Sequence, residues 1–188
     1  MLVIHIGRDV VIKDDSINNS QCQALIELFE ENRQLVNLNN KAAGKYTGDT
    51  QYRDFLLNLS NAPNMERFVR RQMLEAIQEY KRLLDIPFPL GDGYEPLEIM
   101  KFEKGIDKFD VHFDSNGKAH TRCLAIIWYL NDVSEGGELH LPSKFEPLVV
   151  CPKQGRMVIV PTDWSHYHYV TPPESGDRYS LITFIKYT

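Results

Sequence analysis

The chain has 188 residues, of which 43% are hydrophobic and 25% are charged, as in an ordinary soluble globular domain. Its 21 basic and 26 acidic residues give a net charge of −5, which argues against a nucleic-acid-binding surface. The first residues lack the basic start and cleavage site of a signal peptide, and no apolar run approaches the roughly 18 residues of a membrane span. The three cysteines have no metal-type spacing, which favours free thiols in a reducing compartment. We therefore expect a single soluble, cytoplasmic domain over residues 1–188.

The first half of the chain predicts two short strands and two helices. Residues 2–13 favour the strands, because β-branched residues flank a turn-forming Gly-Arg-Asp. The first helix follows with Asn19 or Ser20 as its N-cap, since apolar residues then recur at helical spacing. The second helix begins near Pro63, which suits a first helical turn, and its apolar stripe continues to about Asp85.

A polar stretch separates the two helices. Residues 37–52 are rich in Asn and Lys, are interrupted by glycines and have no clear period. The stretch is too long for a simple connection, so we expect a lid that becomes ordered when substrate binds, or a poorly ordered loop.

The second half of the chain consists of short apolar runs separated by Gly, Pro, Asn, Asp or Ser, which predicts strands. Helices and strands do not alternate there, so a parallel sheet is disfavoured. We expect a mainly β fold with flanking α-helices: a double-stranded β-helix, or jelly roll, with the helices packed on one outer face. The helical support would cover about 16–86 and the jelly-roll core about 95–188. The predicted strands are 97–102, 109–113, 122–130, 138–141, 147–151, 156–160, 166–170 and 178–187.

Four residues in this half form the strongest chemical pattern: His112, Asp114, His168 and Arg178. His112 and Asp114 are two residues apart, so on a strand both side chains project from the same face. Two imidazoles and one carboxylate can occupy one face of an octahedral metal and leave the other open, which suits non-haem Fe(II). Arg178 follows ten residues after His168 and can bind a carboxylate of a dicarboxylic co-substrate through a forked pair of hydrogen bonds.

Other interpretations of these residues stay open. An isolated H-x-D pattern also occurs by chance in exposed turns. His166 lies two residues from His168 and would face the same way on a strand, so it competes as the second imidazole ligand. Arg178 alternatively lies on the surface of a terminal strand, although a charge pointing inward among apolar neighbours needs a partner. Trp164 is either a core residue or a pocket wall.

Three motifs, in this order, resemble those of the 2-oxoglutarate- and Fe(II)-dependent dioxygenases, in their prolyl 4-hydroxylase-like branch. They are F-D-V-H-F-D, Y-L-N-D…E-G-G-E-L-H-L-P and H-Y-V-T-P-P-E-S-G-D-R-Y-S, and they extend over roughly residues 97–187. The resemblance implies a distorted jelly roll in which His112, Asp114 and His168 hold Fe(II). It also implies that Arg178 anchors 2-oxoglutarate.

Two tyrosine positions of the family bear on the co-substrate. Tyr129 matches the position that offers a second hydrogen bond to the carboxylate bound by Arg178 in the oxygen-sensing prolyl hydroxylases. A second family tyrosine, in a Y-x-x-G context before the H-x-D, is replaced here by Phe102. A hydrogen bond to the metal-side carboxylate of 2-oxoglutarate is therefore missing or supplied from elsewhere, while the metal and Arg178 should still hold the molecule.

The resemblance implies a hydroxylase that depends on Fe(II), 2-oxoglutarate and dioxygen, assayed with ascorbate. The implied substrate is a prolyl residue of a peptide or protein. One alternative is a hydroxylase of a small molecule such as a free amino acid. Another is a binding module that keeps the jelly roll without the activity, and formation of succinate would distinguish it from an enzyme. We expect neither nucleic acid nor a membrane as a partner.

Overall fold

A computed structural model describes residues 3–7, 9–33, 37–38, 55–86 and 93–187. Its helices are α1 (Asn19–Glu31) and α2 (Pro63–Leu83). Its strands are β1 (Val3–Gly7), β2 (Val10–Lys13), β3 (Asn37–Leu38), β4 (Phe55–Asn58), β5 (Gly93–Tyr94), β6 (Glu98–Phe102), β7 (Phe109–His112), β8 (Arg122–Tyr129), β9 (Leu139–Leu141), β10 (Leu148–Val150), β11 (Met157–Pro161), β12 (His168–Val170) and β13 (Arg178–Lys186).

The strands form two antiparallel sheets. The larger sheet has the order β1-β2-β11-β8-β13-β6-β4-β3, with β5 paired to β13, and the smaller has the order β10-β9-β12-β7. The eight strands predicted in the second half are all present, with ends that differ by one or two residues. The fold is therefore the mainly β jelly roll with two helices that the sequence predicts.

The helices cover one face of the larger sheet, and the smaller sheet covers the other. Because successive side chains of a strand point to opposite faces, β8 contributes to both layers. Trp128 is fully buried in the helical layer, where its Nε1 donates a hydrogen bond to Ser16 Oγ at 3.2 Å. Tyr129 faces the other way and packs between the sheets with Phe102, Leu139 and Val170, among others. The space between the sheets is therefore where inward-facing polar residues would form a site.

Helix α1 begins one position earlier than predicted. Asn18, and not Asn19 or Ser20, is the N-cap residue, because Asn18 Oδ1 accepts a hydrogen bond from the Gln21 N–H at 2.9 Å. The Gln21 side chain accepts one from the Asn18 N–H at 2.8 Å, which completes a capping box. Three consecutive residues, Asn18, Asn19 and Ser20, have good capping side chains, and Asn18 is the one that forms the capping box. Helix α2 begins at Pro63, as predicted.

Three short strands were not predicted: β3, β4 and β5. The predicted lid over residues 37–52 lies outside the described residues, except for Asn37–Leu38, which form β3 and pair with β4. In the part of the chain that the structure describes, no helix has both the length and the apolar composition needed to cross a membrane.

Candidate functional site

Two adjacent strands of the smaller sheet bring two histidines together. His112 ends β7 and His168 begins β12, and the two residues face each other in the antiparallel pairing. Their ring centroids are 4.4 Å apart. Asp114 lies just beyond the end of β7 and not on the strand, with Oδ1 3.6 Å from His112 Nε2 and Oδ2 3.7 Å from His168 Nε2. Two imidazoles and one carboxylate therefore converge on one point.

The donor atoms of this cluster fit one metal ion. Each residue offers one atom, and these atoms all lie within 4.8 Å of one another. Two atoms bound at about 2.1 Å to one ion can be no more than about 4.2 Å apart, so the separations of 3.6 and 3.7 Å suit shared coordination. A set of two histidines and one carboxylate that leaves further positions open is the set that non-haem Fe(II) oxygenases use.

Backbone carbonyls orient both imidazoles. His112 Nδ1 lies 2.6 Å from the carbonyl oxygen of Asp110, and His168 Nδ1 lies 2.9 Å from that of His166. A carbonyl oxygen can only accept, so each Nδ1 carries the proton and each Nε2 keeps its lone pair. The two Nε2 atoms are the ones that face Asp114, which is the arrangement a metal requires.

Burial and charge set the protonation of this cluster. Burial raises the pKa of Asp114, but the nearby His168 and His112 outweigh it and hold that pKa below its usual range. Burial lowers the pKa of His168. Burial also opposes protonation of His112, yet the negative charge of the nearby Asp114 holds the His112 pKa above its ordinary value. An ionised carboxylate and a neutral His168 are the forms in which these groups bind metals.

The competing histidine, His166, lies elsewhere. It belongs to a 3-10 turn, Trp164–His166, and not to the strand that the sequence predicts for it. Its Nδ1 lies 3.1 Å from Asp163 Oδ1, and it is not among the three residues whose donor atoms form the metal-type cluster. Trp164 in the same turn is 75% exposed, so it is neither a core residue nor an enclosed pocket wall.

Arg178 is a buried cation between the sheets. It begins β13 and is 4% exposed, and its Nη1 donates a hydrogen bond to the Gly137 carbonyl at 2.9 Å. Its Nε is buried without a hydrogen-bond partner in the described part of the chain. Among the described residues, no carboxylate forms an ion pair with Arg178. Burial lowers the pKa of Arg178, but an arginine remains protonated in proteins. The described residues therefore hold a buried positive charge and provide no anion to neutralise it.

Two aromatic rings surround this guanidinium. Arg178 Cζ lies 4.1 Å from the centroid of the Phe102 ring and 5.8 Å from that of Tyr129. Burial raises the pKa of Tyr129, so its hydroxyl stays protonated and can donate a hydrogen bond. Phe102 stands where the resembled family has a tyrosine, and here its ring supports the cation through a cation–π contact. Sequence reasoning missed this role because it treated Phe102 only as a lost hydroxyl.

Two glycines let the backbone approach Arg178. Gly136 and Gly137 have φ values of +73° and +75°, which favour glycine. A Cβ at Gly136 would lie 2.1 Å from the carbonyl oxygen of Pro172, and one at Gly137 would lie 3.3 Å from Arg178 Cδ. The Gly-Gly pair of the sequence motif was therefore the available signal for the carbonyl that binds the guanidinium.

Comparison with known proteins agrees with this geometry. Residues 98–186 match the family model of the 2OG-Fe(II) oxygenase superfamily. The match covers just under half of the chain, so this part of the chain is similar to that superfamily. The superfamily is named for 2-oxoglutarate and Fe(II), and the cluster and Arg178 offer groups suited to both.

The relatives and solved structures that resemble the chain include several prolyl hydroxylases. The probable prolyl 4-hydroxylase 10 of Arabidopsis thaliana is 26% identical over 134 residues, which are 68% of this chain and 43% of that protein. The chain thus spans less than half the length of this curated relative. The viral collagen prolyl hydroxylase of Paramecium bursaria Chlorella virus-1, solved with 2OG, has a TM-score of 0.70 and 16% identity, with 97% of both chains covered. A Trichoplax adhaerens prolyl hydroxylase, solved with a peptide fragment of the hypoxia inducible factor oxygen degradation domain, has a TM-score of 0.73 and 15% identity, with 95% of this chain and 83% of that chain covered. At these identities the two solved structures show a shared fold.

Proposed function

We propose that this chain is an Fe(II)- and 2-oxoglutarate-dependent hydroxylase that acts on a prolyl residue of a peptide or protein. The observation that carries the proposal is a metal-type cluster within one jelly roll together with a buried arginine that no described carboxylate neutralises. A fold has no structural use for a buried charge without a partner, because desolvating it costs free energy. A dicarboxylic co-substrate that also reaches the metal explains both features.

In this proposal His112, Asp114 and His168 hold the metal. The backbone carbonyls of Asp110 and His166 keep both Nε2 lone pairs directed at it. With the metal and 2-oxoglutarate bound, dioxygen is consumed, 2-oxoglutarate becomes succinate and carbon dioxide, and one oxygen atom enters a C–H bond of the substrate. The contribution of the protein is the ligand geometry and a site shielded by the apolar residues between the sheets.

Arg178 binds the carboxylate of 2-oxoglutarate that lies far from the metal. The Gly137 carbonyl occupies Nη1, so Nε and the remaining guanidinium N–H groups are left to donate to a carboxylate. The Tyr129 ring lies 5.8 Å from Arg178 Cζ, and its hydroxyl can add a hydrogen bond to the same carboxylate. The Phe102 ring, at 4.1 Å, supports the guanidinium without neutralising it.

The substrate class is supported by the relatives. The proteins that resemble the chain are named prolyl hydroxylases, and the Trichoplax adhaerens protein was solved with a peptide bound. A hydroxylase of a free amino acid would use the same metal and arginine, so only a substrate test separates the two. A peptide enzyme should oxidise proline within peptides in preference to free proline.

The test is to incubate the protein with Fe(II), 2-oxoglutarate, ascorbate and a proline-containing peptide library in air. We expect succinate and, by mass spectrometry, peptides heavier by one oxygen atom at proline. The Asp114→Ala variant is the matched control and should give neither product. Oxidation of free proline but of no peptide would favour the small-molecule alternative. If the folded, metal-bound protein forms no more succinate than the Asp114→Ala control, the result would favour the alternative of a binding module without activity.

A further inference from the structure

Strands β8 and β13 part beside Arg178. They are paired up to Tyr129, which faces Ser180. The next rung is half formed: the Leu130 N–H donates to the Tyr179 carbonyl at 2.9 Å. In a regular antiparallel ladder the two residues of such a pair exchange both hydrogen bonds. Here the Tyr179 N–H donates instead to the side chain of Asn131, whose Oδ1 is 2.8 Å away.

The Asn131 amide forms hydrogen bonds with the residues on both sides of Arg178. While its Oδ1 accepts the N–H of Tyr179, its Nδ2 donates to the carbonyl of Asp177 at 2.8 Å. Along a strand, the carbonyl before a residue and the N–H after it point to the same side, where a neighbouring strand would bind them. A primary amide offers one acceptor and one donor in a single plane, as a peptide group does. The side chain of Asn131 therefore takes the place of backbone at the missing rung.

The backbone leaves β8 at this point. The loop that follows brings the Gly137 carbonyl to 2.9 Å from Nη1 of Arg178. The Leu130 carbonyl, which the ladder no longer uses, accepts a hydrogen bond from Gln154 Nε2 at 3.2 Å. Asn131 and Gln154 thus share the rung that the backbone leaves open. Of these two side chains, only Asn131 forms hydrogen bonds with the residues that flank Arg178.

We propose that Asn131 is a positioning residue for co-substrate binding. Its amide fixes the backbone on both sides of Arg178 and so sets the direction in which the guanidinium enters the space between the sheets. Arg178 is the first residue of β13, where a strand would otherwise fray. A displacement of about 1 Å in a binding group can cost up to roughly a hundredfold, so this anchor matters. The inference rests on the proposed function, because it assumes that Arg178 binds 2-oxoglutarate.

Two isosteric substitutions test the role. Asn131→Asp keeps the acceptor for the Tyr179 N–H but sets a carboxylate oxygen against the Asp177 carbonyl. Gln154→Glu is the matched control, because it makes the same amide-to-carboxylate change at the same end of the ladder without touching the flanks of Arg178. The dissociation constant of 2-oxoglutarate would be measured in oxygen-free buffer with Mn(II) in place of Fe(II). The affinity for Mn(II) and the melting temperature would be measured alongside.

We expect Asn131→Asp to weaken 2-oxoglutarate binding roughly ten- to a hundredfold. The affinity for Mn(II) should stay unchanged, since Asn131 does not belong to the metal-type cluster. Gln154→Glu should change 2-oxoglutarate binding less than about twofold, even where both variants lose similar melting temperature. A second variant, Asn131→Ala, removes the hydrogen bonds of Asn131 without adding charge, and Gln154→Ala is its matched control. These two variants replace Asn131→Asp and Gln154→Glu if Asn131→Asp does not fold.

Two outcomes would overturn the inference, and a third would overturn the proposed function. Equal effects of the Asn131 and Gln154 variants on 2-oxoglutarate binding would reduce Asn131 to a structural residue and overturn the inference. A weakening by Asn131→Asp that Asn131→Ala does not reproduce would assign the effect to added charge and would also overturn it. If Arg178→Ala leaves 2-oxoglutarate binding unchanged, the proposed function is what fails.

Discussion

Removing Arg178 is the sharpest test of the proposed co-substrate site. The side chain is buried, and the described residues provide it with a carbonyl and aromatic rings but no carboxylate. With 2-oxoglutarate bound, the arginine would form a buried ion pair. Truncation to alanine would then leave the carboxylate of the ligand buried without its cation.

The magnitude follows from the burial. Loss of one partner from a buried ion pair costs about 3–5 kcal/mol. At about 1.4 kcal/mol per tenfold, the KM for 2-oxoglutarate should rise on the order of a hundredfold to several thousandfold in Arg178→Ala. Arg178→Lys should be milder, because lysine keeps the charge but loses the planar fork. The affinity for Fe(II) should hardly change, since Arg178 is not in the metal cluster.

The assay is the KM for 2-oxoglutarate at saturating Fe(II), with succinate as the product measured. Arg67→Ala, at an exposed position on α2, is the control for losing an arginine and should leave the KM unchanged. An unchanged KM in Arg178→Ala would show that the co-substrate assignment itself is wrong.

Stability gives the same test a second readout. Because Arg178 has no counter-ion among the described residues, replacing it by an apolar residue of similar volume should not cost what a broken ion pair costs. We expect the unfolding free energy of ligand-free Arg178→Met to equal or exceed that of the wild type, while 2-oxoglutarate no longer raises its melting temperature. A loss of about 3 kcal/mol or more without ligand would identify a structural arginine.

Three further predictions address other parts of the molecule. Asp114→Ala should nearly abolish turnover with little change in melting temperature, since its carboxylate faces the metal-type cluster; retained succinate formation would remove it from the ligand set. Gly136→Ala should lower the unfolding free energy by roughly 1–3 kcal/mol, because its Cβ would lie 2.1 Å from a carbonyl oxygen at φ +73°, whereas Gly176→Ala, with no atom within 4 Å, should be nearly neutral in the same urea titration. Asp14→Asn should lower the unfolding free energy by about 1.5–3 kcal/mol at neutral pH, because hydrogen bonds from Arg156 hold the pKa of Asp14 below its usual range. The stability that comes from a lowered pKa is present above the unfolded pKa of about 3.9 and is lost as pH falls through the folded pKa. The difference in unfolding free energy between wild type and variant should therefore shrink when unfolding is measured near pH 3.

Local sequence patterns predict much of this fold because they are read within a few residues. The continuous apolar run of β8, bounded by turn-forming residues, predicts a strand that is buried on both faces. The alternation of side chains along a strand then explains why Trp128 packs toward the helices and Tyr129 between the sheets. The spacing of the H-x-D motif is local as well. His168 is far from the H-x-D motif in the sequence, and only the resemblance to the family motifs suggested that it joins His112 and Asp114. The pairing of β7 with β12 brings His168 next to His112.

The errors have a common physical cause. The prediction for His166 assumed that the strand extends to it, whereas a 3-10 turn capped by Asp163 ends two residues before the strand begins. The N-cap of α1 depends on a side chain three residues later. The contact of Asn131 with the flanks of Arg178 depends on residues 46 and 48 positions away. Strand periodicity carries no information about any of these contacts, because each is set by one or two individual hydrogen bonds and not by a repeated pattern.

Three nitrogen-bearing side chains of the candidate site each donate one N–H group to a backbone carbonyl. One carbonyl binds one N–H of each nitrogen side chain and orients what remains: Asp110 orients His112, His166 orients His168, and Gly137 orients Arg178. A carbonyl fixes direction without supplying a full negative charge, unlike a carboxylate. The two Nε2 lone pairs and the positive charge of the guanidinium therefore remain available. If a carboxylate replaced the Gly137 carbonyl, it would neutralise Arg178 and compete with the ligand for the same hydrogen bonds. The neutrality of these supports is thus what allows a buried arginine to act as a binding group and not as half of an internal salt bridge.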